Sequence, residues 1–385
     1  MDRYALKMLL ADRAKFIGIV VGLTFAALLI CQQAGIFLGL MSRTYGFIGD
    51  TGQADVWVMD PKVQFIDDLK PLQDTKLFRV RAVEGVAWAV PLYKGLLKAR
   101  LEDGTFQTCN VIGLDDGSLM GGPPQMLEGR LSDLRRSDGV IVDDVGANVK
   151  LAHPPDASGK RRPLQIGDSL ELNDHRAVVV GICRVARTFQ SQPVVYTTYS
   201  RATSFAPKER KLLSFVLVKA RDGVTANDLC QKITTETGLA AYTQSQFIQL
   251  TYTYFMKNTG IPINFGISVA LGFLVGTAIA GQTFYQFTLD NLRYFGALKA
   301  MGASNSVLLR MVLLQAALVG FIGYGLGVGL ASSFGYLTRN TELAFILPSW
   351  LLLGTGVAIV LICLAASLLS LRKVITLEPA VVFRG

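Results

Sequence analysis

The chain has 385 residues, 51% of them hydrophobic and only 17% charged, with a formal net charge of +9. That balance is too apolar for an ordinary soluble domain and too charged for a chain lying wholly in lipid, so the sequence must be partitioned. The charge calls for no nucleic-acid partner: the larger part of the excess sits in short flanks of apolar runs, where anionic lipid and the insertion machinery act on it.

In chain order, the predicted elements describe an integral membrane α-helical protein with four transmembrane helices and a large mixed α/β extracytoplasmic domain between helices 1 and 2. Residues 1–15 form an N-terminal tail carrying Arg3, Lys7, Arg13 and Lys15. The apolar run over 16–40 is longer than the ~7–15 residues of a signal-peptide core, and no small-x-small cleavage site follows, which predicts a signal anchor that stays in place. Three more runs, 261–287, 307–334 and 345–371, also reach the ~20 residues a helix needs to cross hydrocarbon. Basic residues in short flanks face the cytoplasm. This puts the N-terminal tail, the loop 288–306 with Arg293 and Lys299, Arg310 at the start of the next helix, and the tail 372–385 with Arg372, Lys373 and Arg384 inside. The loop 335–344, with Arg339 set against Glu342, and the long segment 41–260 then lie outside.

The outer segment alternates short β-type runs with turn signals. Val86–Val90 and Gly95–Leu101 read as paired strands, and Asp103-Gly104 as a tight hairpin turn. A second group runs from Gly139–Val142 through Ile166–Leu172 to Ala177–Ile182. Within it, Pro154, Pro155, Gly159, the basic triplet Lys160, Arg161 and Arg162, and Pro163 form a polar surface loop, with the triplet reading first as a solvated face and second as a contact for an acidic partner. From Thr225 to about Lys257 the pattern is helical, with Asn227 as the candidate cap. That helix leads through Gly260 and Pro262 into the second membrane run, and two readings stand: a stiff rod hinged at these residues, or a connector whose proline starts the next helix.

Five cysteines, Cys31, Cys109, Cys183, Cys230 and Cys363, show no CxxC spacing, which argues against a zinc site or a disulfide framework; pairing among Cys109, Cys183 and Cys230 stays open. His153 and His175 read as surface residues outside any metal or nucleophile signature, and the pairs Asp67-Asp68, Asp115-Asp116 and Asp143-Asp144 carry no catalytic spacing. The membrane runs hold no ionisable group at their centres, unlike the pathway of an ion-coupled transporter. They hold small residues at packing spacing instead: Gly272, Gly276 and Ala280 in the second, Gly323 with Gly327 and Gly325 with Gly329 in the third. Packing within the chain and a homodimer seam are both open uses.

The loop after the second run reads Asp290-Asn-Leu-Arg-Tyr-Phe-Gly-Ala-Leu-Lys-Ala-Met-Gly-Ala303. Phe295, Leu298 and Gly302 fall on one helical face, flanked by Leu292 and Met301, with Gly302 a C-terminal cap and Ser304 or Ser306 capping the next helix. This loop resembles the one found in permease subunits of MacB/FtsX-type ABC transporters, approximately R-E-x-G-x-L-R/K-A-x-G-A. Arg293, Gly296, Leu298, Lys299, Ala300, Gly302 and Ala303 match; Tyr294 replaces the family's acidic residue. The order of one helix, a domain of about two hundred residues and three helices resembles the family too, as do the Gly139–Asp144, Ile166–Leu170 and Val178–Ile182 stretches and the C-terminal Glu378–Gly385.

The resemblance implies a non-catalytic, mechanotransmitting exporter subunit in the bacterial inner membrane, most similar to DevC-like permeases of glycolipid exporters. It implies a helix that couples to an ATPase through Arg293, Tyr294, Phe295, Gly296, Leu298, Lys299, Ala300, Gly302 and Ala303, with Gly296 and Ala300 forming a strip of little bulk. The chain has no Gly-x-x-x-x-Gly-Lys-Ser/Thr, so ATP and Mg would sit on a separate ATPase subunit. A second copy of the chain, a periplasmic adaptor, an outer-membrane channel and membrane lipid are the other implied partners. A lipid, glycolipid, lipoprotein, peptide or hydrophobic compound is the implied cargo. The competing role within the family is transmembrane signalling that activates a cell-wall hydrolase without transport.

Overall fold

The computed structural model describes residues 2–155, 159, 161–207, 212–339 and 341–375. Lys160 and the C-terminal stretch Glu378–Gly385 lie outside the described residues. In chain order come α1 (Asp2–Ala11), α2 (Arg13–Asp50), β1 (Val56–Met59), α3 (Asp74–Arg81), β2 (Val86–Arg100), β3 (Phe106–Leu114), β4 (Gln125–Gly129), β5 (Gly139–Asp143), β6 (Ser169–Leu172), β7 (His175–Arg184) and β8 (Val194–Thr198). There follow α4 (Tyr199–Phe205), β9 (Phe215–Ala220), α5 (Ala226–Thr237), β10 (Ala240–Thr243), α6 (Gln244–Asn258), α7 (Ile261–Asp290), α8 (Leu292–Ala300), α9 (Asn305–Thr338) and α10 (Ser349–Ile375). The chain divides into a helical unit, Met1–Leu40 with Gly260–Gly385, and an inserted domain, Met41–Thr259.

Four helices of the described chain are long and apolar enough to cross a membrane: α2, α7, α9 and α10. The run read as 16–40 lies inside one uninterrupted helix of 38 residues, roughly 57 Å at 1.5 Å per residue. Glycine lets these helices touch. A Cβ on Gly276 would strike Ala26; one on Gly323 would lie 2.6 Å from Leu23 Cβ; one on Gly327 would lie 2.5 Å from Ala27 Cβ and 2.7 Å from Thr24 O. Gly272 faces Leu29 in the same way, at 3.1 Å. The connection between α9 and α10 also packs onto α2, since Ile346 N–H donates to Gly35 O at 3.0 Å and Phe345 fills the space left by Gly35 and Gly335.

The N-terminal tail contains a helix, α1. It buries Ala5 and Leu9 in the same core as α9's Met311 and Val312, and Gln315 Nε2, inside α9, donates to Ala5 O at 2.8 Å. A buried amide in an apolar helix needs such an acceptor.

The inserted domain is built on a ten-stranded sheet in the order β10-β1-β9-β2-β3-β8-β5-β7-β4, with β6 set against β2 and β7. Its spine is β2. The two stretches read as paired strands are one strand: Val86–Leu92 pair with β9 and Tyr93–Arg100 with β3. Alternation in the second half, where Leu96, Lys98 and Arg100 are exposed, marks the sheet's solvated side. The hairpin at Asp103-Gly104 is present, with Gly104 at φ +81 and Thr105 N–H donating to Asp103 Oδ1 at 2.9 Å. The Gly139, Ile166 and Ala177 stretches form β5, β6 and β7, with β7 parallel to β5 and antiparallel to β6.

The helix read from Thr225 to about Lys257 is two helices separated by β10. Thr225, not Asn227, caps the first by accepting from Asp228 N–H, and Gly238 at φ +70 ends it. A capping box between Thr243 and Gln246 then starts α6. No rod continues into the next helix: Thr259 is extended, at φ −124 and ψ 154, and Pro262 lies in the first turn of α7, where a missing N–H costs nothing.

All five cysteines are free and buried, and burial pushes the Cys109 thiol up to about 12. His153 is no surface residue. Its ring is mostly covered, with Nδ1 2.8 Å from Glu102 Oε1 and Nε2 2.9 Å from Asp168 Oδ2.

Candidate functional site

Helix α7 stops where Asn291 turns its side chain back, Nδ2 donating to Phe287 O at 2.8 Å. Its own carbonyl accepts from Tyr294 and Phe295 N–H and opens α8. α8 runs for nine residues to Ala300, and the chain turns out of it at Gly302, at φ +93. Gly302 N–H donates to Lys299 O at 3.1 Å and Ala303 N–H to Leu298 O at 3.0 Å. This bond pair is a Schellman motif, which only a residue at ease in the left-handed region closes without strain. Ser304 then occupies the cap position of α9, its hydroxyl 2.8 Å from Ser306 Oγ rather than on a backbone N–H.

The two faces of α8 differ sharply. Phe295 is fully buried in the core that holds Phe287, Leu308 and Met311, and Leu298 and Ala303 pack against it. Gly296 is buried as well. Leu292 and Lys299 are half-buried, whereas Arg293, Tyr294, Ala297, Ala300, Met301 and Gly302 are exposed. Tyr294 and Met301 keep 63% and 74% of their surface, which makes them, with Arg293, the large side chains of the open face. The strip of little bulk is therefore Ala297 and Ala300; Gly296 belongs to the packed side. Ala297 carries no signal in the motif, because its role follows from helix phase alone.

The start of this segment is tied down. Lys15 Nζ contacts Asp12 Oδ2 at 2.7 Å and pairs with Asp290, the last residue of α7. The glycines at Gly272, Gly276, Gly323 and Gly327 are not free for a second copy, since all four face α2 of the same chain. Gly325 and Gly329 have open space where a Cβ would point. Among the described residues no three His, Cys, Asp or Glu side chains gather as a metal ion would need.

A family profile described as "MacB-like periplasmic core domain" matches residues 16–236, more than half of the chain, and one described as "FtsX-like permease C-terminal" matches residues 246–379. Uncharacterised ABC transporter permeases from two strains of Mycobacterium tuberculosis are each 24% identical over 316 residues, spanning 82% of this chain and 80% of theirs. Among solved structures, the periplasmic region of MacB from Actinobacillus actinomycetemcomitans is 14% identical, covering 55% of this chain and 96% of that one, with a TM-score of 0.37. The extracellular domain of the noncanonic ABC-type transporter YknZ from Gram-positive bacteria is 12% identical, covering 49% and 98%, with a TM-score of 0.34.

Proposed function

This chain belongs to the MacB/FtsX-type ABC transporter permeases, and from that premise we propose that it is the mechanotransmitting subunit of an exporter. ATP hydrolysis on a separate ATPase reaches it through α8 and moves the inserted domain, which drives export of a lipid, glycolipid, lipoprotein, peptide or hydrophobic compound with the help of a periplasmic adaptor. Both chain ends face the cytoplasm of an inner membrane, as the basic flanks require. A second copy of the chain completes the assembly, and any seam it forms uses surfaces other than the four glycines already packed on α2.

The observation that carries the reading is the asymmetry of α8. A helix anchored by buried Phe295 and closed by Gly302 presents Ala297 and Ala300 as a strip of little bulk on an open face that Arg293, Tyr294 and Met301 flank. Such a face admits close approach by a groove on a partner, and its rigid backing passes a push into α7 and α9 rather than absorbing it.

The test pairs two substitutions in the permease co-purified with its cognate ATPase and reconstituted in liposomes. Ala300→Trp, on the open face, is expected to leave the melting temperature unchanged and to abolish permease-dependent stimulation of ATP hydrolysis. Gly296→Trp, on the packed face, is expected to lower the melting temperature first. Full stimulation in a folded Ala300→Trp variant overturns the coupling assignment.

A further inference from the structure

We propose that the inserted domain holds a pocket for an anionic amphiphile, with Lys94 receiving the acidic head and the rings of Phe65, Phe189, Tyr254 and Phe255 receiving the apolar part. The cleft they line measures about 820 Å³, within the roughly 300–1,000 Å³ usual for small-molecule sites. Phe65 stacks on Tyr254 at 4.4 Å and meets Phe255 edge-on at 5.5 Å, and Phe189 lies 5.2 Å from Phe255. Among the described residues, none of these four rings belongs to the buried clusters that hold the sheet together. They form an apolar surface of their own, facing a cleft.

Lys94 supplies the charge. Its side chain is 3% exposed, and a buried ammonium is costly without a partner. The partners it has are the Asp67 carboxylate, itself 46% exposed, and the face of the Phe47 ring at 6.0 Å. An ammonium has three donors. Asp67 takes one and stands half in solvent; Asp68 and Lys70 also line the cleft, so an incoming carboxylate reaches the covered ammonium by displacing Asp67 into water. Behind Lys94 lies a smaller cavity of about 20 Å³, which also touches Asn110. The Asn110 Oδ1 is buried there with no hydrogen-bond partner. Such a space holds one water, which needs about 10–15 Å³, and gives the head a polar wall.

The position also has a consequence. Tyr254 and Phe255 sit in the last turn of α6, which stops at Asn258, three residues before α7 begins. The ligand therefore packs on the segment that leads into a membrane helix. The inference deepens the exporter reading and rests on it for the ligand's role as cargo; the pocket itself stands on the geometry.

The experiment uses the full chain in lipid nanodiscs, photolysed with an alkyne-bearing diazirine analogue of hexadecanoic acid and mapped by mass spectrometry of its peptides. Labelling is expected on peptides containing Phe65, Leu96, Phe189 or Tyr254, suppressed by unlabelled palmitate. Leu96→Trp, which fills the cleft from an exposed strand position, and Lys94→Met are each expected to lower it at least tenfold, with labelling of the membrane helices unchanged. Labelling confined to α2, α7, α9 and α10, or undiminished in Leu96→Trp, overturns the pocket. Equal labelling by the corresponding hexadecylamine probe overturns the anionic head. No ATPase is present, so failure of the α8 assignment leaves this outcome untouched.

Discussion

In the inserted domain Trp57 lies edge-on to Phe215, with ring centroids 5.5 Å apart, and tilted against Phe247 at the same distance. In the helical unit the corresponding close contact is made by Gly327, which lets Ala27 and the backbone of Thr24 approach so far that one added carbon would overlap them. The first core is filled with bulk because water is the alternative solvent and each buried ring removes apolar area from it. The second gains little from bulk, because lipid tails are as apolar as leucine, and helix association depends on how closely backbones meet. A substitution that removes atoms should therefore hurt the inserted domain most, and one that adds atoms should hurt the helical unit most.

The largest expected effect tests the first half of that contrast. Trp57→Ala removes a fully buried ring and should cost ~3–5 kcal/mol of the inserted domain's stability, read by thermal melting of the purified protein. Its Nε1 has no hydrogen-bond partner, so no lost bond confuses the reading. A melting temperature close to the wild type would show that packing around this ring is not what holds the sheet.

A pH effect of the next size should be confined to the inserted domain. Burial pushes Asp143 up to about 6 from its usual 3.8, even though its carboxylate accepts from Val194 and Gly146 N–H. Between those values the folded chain binds more protons than the unfolded one, so stability is highest at low pH and falls as pH rises from about 4 to 6. The upper bound is about 3 kcal/mol. His153 acts in the same direction at higher pH: burial alone would lower its pKa, but bonds to Asp168 and Glu102 raise it. Its contribution is present below the ordinary histidine value and is lost as pH climbs through the raised one. Asp168, held below the usual carboxylate value, works the other way, at the acid end. Asp143→Asn should flatten the pH 4–6 slope of the melting temperature; an unchanged slope would remove Asp143 as its source.

The second half of the contrast predicts a position-specific penalty for added bulk. Gly327→Leu should destabilise the detergent-solubilised protein by at least ~1–3 kcal/mol. Gly325→Leu, two residues away with open space around it, should stay within about 0.5 kcal/mol of the wild type. Equal effects at both sites would mean that the α2–α9 contact is not the close approach described.

Much of this was legible in the sequence, and what was missed has a physical pattern. The four apolar helices, the Asp103-Gly104 hairpin and the Gly302 terminus follow from periods and local backbone demands that a short window contains. The long strand β2 was split in two because its first half is buried on both faces and its second alternates, so one element carries two patterns. The helix read through Thr225–Lys257 hid β10, whose four residues acquire strand character only by pairing with β1. The open strip of α8 was placed one residue off, on Gly296 in place of Ala297, because glycine shows no side chain from which to read a face. The docking of α1 depends on Gln315, more than three hundred positions away, and no local signal marks it.

The smallest expected effect lies at the polar end of the helical unit, where Lys15 joins Asp12 and Asp290. The lysine side chain is 23% exposed and that of Asp290 60%, so water screens the pair, and a cycle of Lys15→Met with Asp290→Asn should give a coupling of only ~0.2–1 kcal/mol. If packing governs this unit, losing the ion pair should cost less than adding a side chain at Gly327. Its use would then be positional: Asp290 is the last residue of α7, next to the Asn291 that joins it to α8, and fixing it limits how far α8 can pivot about Asn291. Lys15→Met should accordingly leave the melting temperature within a few degrees of the wild type while lowering ATPase stimulation in the reconstituted complex. A cost in stability larger than that of Gly327→Leu would reverse the ranking, and would mean that this unit is held by charge at its rim rather than by close backbone contact along its length.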